Sequence, residues 1–190
     1  MTNKIRREVI EWVVLIGVVL GLYFTGLHTE VIGMLQRVVL APGLIKPEMI
    51  PVDEQQLASY DFVLINEEGK MLPFKEFKGK TVFLNLWATW CPPCVAEMPD
   101  INNLYNEVNS DDIVFVMLSR DKEFKTAIDF ASRKDYQFPI YSQATSLPQV
   151  FQSNSIPTTF IISPEGKIVA KRSGMAKYNS EEFRQFLKEL

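Results

Sequence analysis

The fold of this chain is decided by residues 81–99, which read TVFLNLWATWCPPCVAEMP. The stretch holds both cysteines of the protein, Cys91 and Cys94, with two prolines between them. An apolar run rich in strand-forming residues precedes the cysteines, and apolar residues at helical spacing follow them as far as Val108. The pattern predicts a Cys-x-x-Cys pair where a strand gives way to a helix, which suits disulfide exchange.

The position of each cysteine predicts its role. A side chain at the start of a helix faces unpaired backbone N–H groups and the positive end of the helix dipole. We therefore expect the pKa of the Cys91 thiol to lie below the usual value of roughly 8.5, which makes Cys91 the nucleophile. Pro92 and Pro93 suit the first helical turn, where a missing N–H costs little. Cys94 lies one turn further on and is predicted to be the resolving thiol.

Two other uses of the cysteine pair are less consistent with the sequence. A zinc site usually has about four ligands, and the only histidine, His28, lies in a distant hydrophobic segment. A purely structural disulfide between residues so close in sequence would close a very short loop and add little stability. A redox-active pair is therefore the favoured interpretation.

The residues WATWCPPC, followed by Glu97 and Pro99, resemble the active-site stretch of thioredoxin-fold proteins. More narrowly, they resemble the membrane-anchored, extracytoplasmic TlpA/ResA-type reductases, which include the cytochrome c maturation thioredoxins. A second motif, IPTTF at residues 156–160, supports the resemblance. The resemblance implies a thioredoxin-like α/β fold and a thiol-disulfide oxidoreductase. It also implies a central mixed sheet flanked by helices, with an N-terminal β-hairpin added.

The same resemblance indicates which residues contact the substrate. Pro157 matches a cis-proline that lies against the cysteines, and the cis form of an X–Pro bond costs only about 0.5–1 kcal/mol. A trans-proline at the edge of a strand is the alternative. Ile156 would present its backbone to an incoming peptide as an added strand. With Trp90 as an apolar rim beside the cysteines, Pro92 and Pro93 complete the predicted substrate-binding set.

Glu97 is the predicted proton carrier. It follows Cys94 by three residues, so the two side chains lie on nearly the same helix face. In the resembling reductases a glutamate here lies beside the cysteines, which implies a raised carboxyl pKa and proton exchange with Cys94. A solvated acid in the first helical turn is the alternative. Asn85 stands where thioredoxin usually has an aspartate and does not titrate, so Glu97 joins Cys91 and Cys94 in the catalytic set.

Composition and chemistry restrict the partners. The net charge of −3 and the absence of a basic patch interleaved with aromatic residues argue against a nucleic acid. Two-electron chemistry through sulfur needs no metal, flavin or nucleotide cofactor. The predicted partners are protein disulfides and an upstream membrane thiol donor that reduces the pair again, since glutathione-type reductants are scarce outside the cytoplasm.

The N-terminus predicts a membrane anchor. Lys4, Arg6 and Arg7 precede the uncharged residues 12–27, WVVLIGVVLGLYFTGL. Adding Val9 and Ile10, and tolerating Glu11 near the headgroups, extends this run to nearly 20 residues, about the length of a membrane-spanning helix. The basic cluster predicts a cytoplasmic N-terminus. We expect a single-pass protein of the cytoplasmic (inner) membrane with its catalytic domain on the extracytoplasmic, periplasmic side. A cleaved signal peptide is the alternative.

The chain is predicted to have three parts: residues 1–28 as cytoplasmic tip and anchor, 29–57 as amphipathic and linker segment, and 58–190 as the thioredoxin-like domain. Within the second part, residues 31–45 suit an amphipathic helix at the membrane surface, which Pro42 ends. A second membrane crossing is the alternative. Residues 47–56 are interpreted as a linker.

Patterning within the domain predicts its remaining elements. Predicted strands cover residues 62–65, 71–72, 81–86, 113–118, 138–141, 158–162 and 167–172, and helices follow the cysteines and cover residues 124–133, 147–151 and the C-terminus after Ser180. We expect helices on both faces of the sheet. Three other functions remain alternatives: a disulfide-forming oxidant, a copper-delivery protein and a peroxidase. Ala88 argues against the peroxidase, because the peroxidatic cysteine usually has a threonine at that position.

Overall fold

A computed structural model describes residues 2–40 and 45–190 of the chain. The strands are β1 (Glu48–Met49), β2 (Val63–Ile65), β3 (Met71–Pro73), β4 (Thr81–Trp87), β5 (Ile113–Ser119), β6 (Ile140–Gln143), β7 (Thr158–Ile162) and β8 (Ile168–Ser173). The α-helices are α1 (Thr2–Phe24), α2 (Leu27–Leu40), α3 (Pro92–Val108), α4 (Phe124–Arg133) and α5 (Glu181–Glu189). Short 3-10 helices cover Val52–Glu54, Phe74–Phe77 and Gln149–Phe151.

The strands form one mixed sheet in the order β1-β8-β7-β4-β5-β6-β2-β3. β4, β5 and β6 are parallel neighbours, with α3 and α4 as their crossover connections. The other neighbours pair antiparallel, including the N-terminal hairpin β2–β3. β4 and β5 lie in the middle and are covered on both faces, which explains why each reads as a continuous apolar run. The predicted mixed sheet and added hairpin are confirmed.

The two faces of the sheet are covered differently. Alternate residues of β4 divide between two clusters, with Phe83 on the face that packs against α3, α4 and α5. Leu84 and its alternate neighbours face the other way, into an aromatic cluster around Phe74 and Phe151. In the described residues, that second face is covered by short 3-10 helices and loop segments, one of them at the predicted helix of residues 147–151. Helices therefore lie on both faces as predicted, but those on the second face are short and of the 3-10 type. Large aromatic rings fill the space that a longer helix would take.

The segment interpreted as a linker is part of the sheet. β1 pairs antiparallel with β8, and the N–H of Ile50 donates to the carbonyl oxygen of Val169 at 2.9 Å. The N–H of Ile168 donates to the carbonyl oxygen of Gln56, also at 2.9 Å. These contacts use the backbone alone, so residues 47–56 carry no alternating apolar pattern that would have revealed a strand.

The N-terminal segment has a break that the sequence did not predict. α1 ends at Phe24, and Gly26 takes a positive φ of 74° before α2 begins, so residues 12–27 do not form one helix. By length and composition, no single helix within residues 2–40 and 45–190 would span a membrane. Ile5–Phe24 and Leu27–Val38 are long and apolar enough only when taken together, and the two helices are bent by 96° relative to each other.

The helix predicted for residues 31–45 starts earlier, at Leu27, and packs against α3 of the catalytic domain. Gly33 makes this packing close, since a Cβ added there would lie 3.0 Å from the carbonyl oxygen of Pro92. One face of α2 is therefore occupied by protein. Pro42, the predicted end of this helix, lies outside the described residues.

Candidate active site

The end of β4 and the start of α3 place the two cysteines. β4 is buried along its whole length, so its last residue fixes where the chain leaves the sheet. The next turn closes with the N–H of Cys91 donating to the carbonyl oxygen of Ala88 at 3.2 Å. Cys91 is the N-cap of α3, and Pro92 and Pro93 occupy the first helical turn as predicted.

A carboxylate that follows the neighbouring strand β5 forms hydrogen bonds with the turn before Cys91. Asp121, just beyond β5, accepts a hydrogen bond from the Thr89 hydroxyl at 2.6 Å and from the Thr89 N–H at 3.1 Å. The Ser119 hydroxyl donates to the same carboxylate at 2.9 Å. These contacts fix the chain immediately before Cys91. Sequence reasoning missed Asp121, because only the pairing of β4 with β5 brings it beside the turn.

Cys91 and Cys94 are joined in a disulfide with their Cα atoms 5.2 Å apart. The N–H of Cys94 points at Cys91 Sγ from 3.2 Å. In the reduced protein the same N–H would donate to a Cys91 thiolate, together with the positive end of the α3 dipole. Cys91 is 4% exposed and Cys94 is fully buried. An incoming sulfur therefore reaches Cys91 first, and the assignment of Cys91 as nucleophile and Cys94 as resolving thiol stays a prediction.

The predicted substrate-binding residues lie around Cys91. The Ile156–Pro157 peptide bond is cis, as the resemblance implies, and the Ile156 carbonyl oxygen lies 3.7 Å from Cys91 Sγ. Pro92 and Pro93 are half-buried beside the disulfide. Trp90 is 59% exposed, so its ring is available to a partner, whereas Trp87 is buried in the core. The arrangement places a peptide backbone, an apolar ring and a reactive sulfur on one surface.

Glu97 is fully buried beneath this surface. The Asn85 side-chain amide donates to Glu97 Oε1 at 2.9 Å, and the N–H of Ala176 donates to Glu97 Oε2 at 3.1 Å. Burial raises the pKa of the Glu97 carboxyl to about 8, and these two hydrogen bonds oppose the rise without cancelling it. Asp100 raises this pKa further and Arg172 lowers it.

A carboxyl group with this pKa can hold or release a proton in the range where thiols titrate. Glu97 lies on α3, one helical turn after Cys94, so the two side chains share a helix face. Among the described residues, neither cysteine makes a direct hydrogen bond with Glu97, whose carboxylate is instead held by Asn85 and Ala176.

The hydrogen bonds of Glu97 continue into the core. The same Asn85 amide donates to Thr159 Oγ1 at 2.8 Å, and the Tyr178 hydroxyl donates to this oxygen at 2.7 Å. All four side chains are buried. Sequence reasoning missed Thr159 and Tyr178. Thr159 could have been found from the strand register, because it lies directly opposite Asn85. That register is known only once the antiparallel pairing of β4 with β7 is known.

We expect Tyr178→Phe to lower the free energy of unfolding by about 1 kcal/mol, because Thr159 Oγ1 loses a buried hydrogen-bond donor while the ring is kept. Chemical denaturation monitored by circular dichroism measures the change. Tyr105→Phe is the matched control: Tyr105 is half-buried and its hydroxyl makes no hydrogen bond within the described residues. Its effect should stay within about 0.5 kcal/mol. Equal effects of the two substitutions would contradict a role for the Tyr178 hydroxyl.

Comparison with known proteins gives consistent matches. A family model described as the AhpC/TSA family matches residues 56–171. The thiol-disulfide oxidoreductase ResA of Bacillus thuringiensis subsp. konkukian is 32% identical over 131 residues, which cover 68% of this chain and 75% of the relative.

Two solved structures show the likeness in three dimensions. StoA from Bacillus subtilis aligns with a TM-score of 0.54 at 26% identity, covering 67% of this chain and 93% of that chain. A DsbF homologue from Corynebacterium diphtheriae aligns with a TM-score of 0.60 at 19% identity, covering 78% of this chain and 96% of that chain. The second match is a likeness of fold alone.

Proposed function

Because this chain belongs to the AhpC/TSA family and is a thiol-disulfide oxidoreductase related to ResA, we propose that it reduces disulfides of protein partners on the outer side of a membrane. One observation carries this activity: Cys91 Sγ lies at the start of α3 with the N–H of Cys94 pointing at it from 3.2 Å. That geometry stabilises a thiolate on Cys91 and keeps the second sulfur within bonding range.

The reaction has two steps. The Cys91 thiolate attacks one sulfur of the substrate disulfide, so a mixed disulfide forms and the other substrate sulfur leaves as a thiolate. Cys94 then loses its proton and attacks Cys91 Sγ, which releases the second substrate sulfur and leaves the Cys91–Cys94 disulfide. Two electrons pass from the dithiol to the substrate. Glu97 is the proposed acceptor of the Cys94 proton, since its raised pKa lies near that of a thiol.

The reduced form must then be restored from outside the molecule. We assign this step to a thiol donor in the membrane, because glutathione-type reductants are scarce outside the cytoplasm. Cysteine residues of apocytochrome c are candidate substrates, because the sequence resembles the cytochrome c maturation thioredoxins. The chemistry requires no metal, flavin or nucleotide.

Membrane attachment is supported by the surface of α1. Its apolar side chains from Val9 to Phe24 are exposed around the helix. A helix on the surface of a water-soluble domain has polar residues on its exposed side instead. Arg6 and Arg7 precede them, and the excess of basic residues on this side supports a cytoplasmic N-terminus. With α1 in the membrane, the disulfide lies on the extracytoplasmic side.

Expression of Cys94→Ala in the native host tests this function. Without the resolving thiol, the partner stays bound to Cys91, and mass spectrometry of the trapped adducts identifies it. We expect extracytoplasmic proteins with cysteine pairs and a membrane protein with a thiol pair. The double variant Cys91→Ser/Cys94→Ala is the control and should trap none. Adducts with newly secreted proteins that still lack their native disulfides would instead indicate an oxidant, and copper bound to both sulfurs would indicate metal delivery.

A further inference from the structure

α2 is held against the active-site helix by its backbone. A Cβ added at Gly33 would lie 3.0 Å from the Pro92 carbonyl oxygen, 3.2 Å from Val95 Cγ1 and 3.3 Å from the Ala96 nitrogen. Distances from 3.0 to 3.4 Å are tighter than nine in ten real Cβ contacts, so a larger residue at this position requires the two helices to move apart. The contact falls on the first turns of α3, next to Cys91.

Both charged residues of α2 are also directed toward the catalytic domain. The Glu30 carboxylate pairs with Arg133 at 3.2 Å and with Lys134, both at the end of α4. The Arg37 guanidinium donates to the carbonyl oxygen of Val95 at 3.4 Å. α2 therefore cannot be the second half of a broken membrane span while these contacts exist, because its charged face lies on the catalytic domain.

The opposite face of α2 is apolar and uncovered. Its side chains recur at helical spacing, are between 46% and 71% exposed, and comprise Leu27, Val31, Met34, Leu35 and Val38. We call these five residues the outer stripe. A helix on a water-exposed domain normally turns its charges outward and its apolar residues inward, whereas α2 does the reverse. The outer stripe is therefore suited to an apolar environment.

The position of α1 indicates which environment this is. The exposed apolar surface of α1 meets the outer stripe at the corner around Gly26, where the helix axes turn by 96°. When α1 stands along the membrane normal, α2 consequently lies along the membrane surface. The same corner borders a groove of about 760 Å³ lined by Leu27, His28, Thr89 and Trp90, so the end of α1 lies near Trp90, the residue that precedes Cys91.

We infer that the outer stripe of α2 lies at the boundary between the lipid headgroups and the acyl chains, while the opposite face packs against α3 and α4 and so fixes Cys91 at the membrane surface. This inference rests on the proposed attachment through α1. A helix with one apolar face can lie in the plane of a membrane in this way. The domain would then act preferentially on disulfides that are themselves held at the membrane surface.

Spin labels in nanodiscs that hold one copy of the full chain test the location of α2. Single cysteines for labelling are introduced at Leu15 in α1, at Leu35 in the outer stripe and at exposed Lys188 in α5, with Cys91 and Cys94 replaced by serine. We expect the labels at Leu15 and Leu35 to be relaxed by oxygen, which partitions into lipid, and shielded from an aqueous nickel chelate. The label at Lys188 should show the opposite behaviour.

The three labels separate the possible failures. A lipid-exposed label at Leu15 with a water-exposed label at Leu35 leaves the anchor intact and overturns the inference about α2. Water exposure of both shows that the proposed attachment itself is wrong. Shielding at Leu35 that appears only in discs with two copies means that a second chain covers the outer stripe, which also overturns the inference.

Gly33→Leu tests the functional consequence, since the added side chain must push α2 away from α3. The full chain in liposomes is given one disulfide peptide in two forms, free in solution and tethered to lipid. We expect Gly33→Leu to reduce the rate on the tethered peptide about tenfold and to leave the free peptide within about twofold. The reason is that α1 still anchors the domain, but Cys91 is no longer held at the level of the tethered disulfide. Gly17→Leu, where an added Cβ meets nothing within 4 Å, is the matched control and should change neither rate. Equal changes in both rates, or none, would overturn the inference.

Discussion

Replacing Cys91 with alanine is expected to reduce the rate of disulfide reduction by at least about 10³-fold, because no other sulfur is placed to attack the substrate. Cys94 is fully buried beneath Cys91, and the chain has no third cysteine. Reduction of insulin by the dithiothreitol-reduced protein measures the loss. Turnover by Cys91→Ala at a rate near that of the wild type would show that the order of roles is wrong.

Cys94→Ala is the informative comparison for this substitution. It keeps the attacking sulfur, so it should still form one mixed disulfide per molecule but not complete the cycle. Alkylation of Cys91 in this variant at a series of pH values also reports the ionisation of its thiol. We expect a pKa below the ordinary value of roughly 8.5, as the start of α3 favours the thiolate. An unshifted thiol would remove the physical basis of the proposed mechanism.

Glu97→Gln is expected to change the pH dependence of stability. In the folded protein burial raises the pKa of Glu97 from 4.5 to about 8. Below pH 4.5 the carboxyl is protonated in both states, so it adds no pH dependence. Between pH 4.5 and 8 the unfolded chain releases the proton and the folded chain keeps it, so stability falls as pH rises. Above pH 8 both states are ionised and the loss is complete.

The size of this effect follows from the shift. One pKa unit corresponds to about 1.4 kcal/mol, so Glu97 lowers the free energy of unfolding by about 5 kcal/mol across this range. Glutamine carries no charge at any pH. The free energy of unfolding of Glu97→Gln minus that of the wild type should therefore rise by about this amount from pH 4.5 to 8.

Urea denaturation of the oxidised, detergent-solubilised chain at intervals between pH 4.5 and 9 measures this difference. A constant offset between the two proteins reflects the hydrogen bonds of the glutamine amide and does not affect the slope. Glu107→Gln is the matched control, because Glu107 is an exposed carboxylate on the same helix. Because this side chain is exposed, its difference from the wild type should vary with pH far less than that of Glu97→Gln. A flat difference for Glu97→Gln would contradict a raised carboxyl pKa.

The sequence predicted those parts of the fold that are determined by residues close together in the chain. β5 is a run of apolar residues because both its faces are buried, and the length of the run sets the length of the strand. The position of Cys91 is likewise determined by neighbouring residues, namely the end of β4, the turn after it and the two prolines that begin α3. Glu97 was singled out from its spacing to Cys94 and from the resemblance. The structure buries it completely, and its role in proton transfer stays a prediction.

The features that the sequence did not predict depend on contacts between distant residues. Thr159 and Tyr178 join Glu97 through Asn85 only after β4 and β7 have paired in one register. β1 is recognised by the backbone of β8 and has no side-chain pattern of its own. The packing of α2 depends on Gly33, which is visible in the sequence, but its partner surface is formed only when α3 has folded.

β1 also has a consequence for the solubility of the catalytic domain. Its two residues, Glu48–Met49, pair with the outer margin of β8, and the Glu48 carboxylate adds an ion pair with Arg172 at 2.9 Å. A fragment that began at residue 58 would lack β1 and leave β8 as an unpaired edge strand. The free backbone N–H and C=O groups of an edge strand can pair with a strand of another molecule. We therefore expect the short strand to limit pairing of β8 with a second molecule. The smallest fragment that stays monomeric should begin ahead of Glu48.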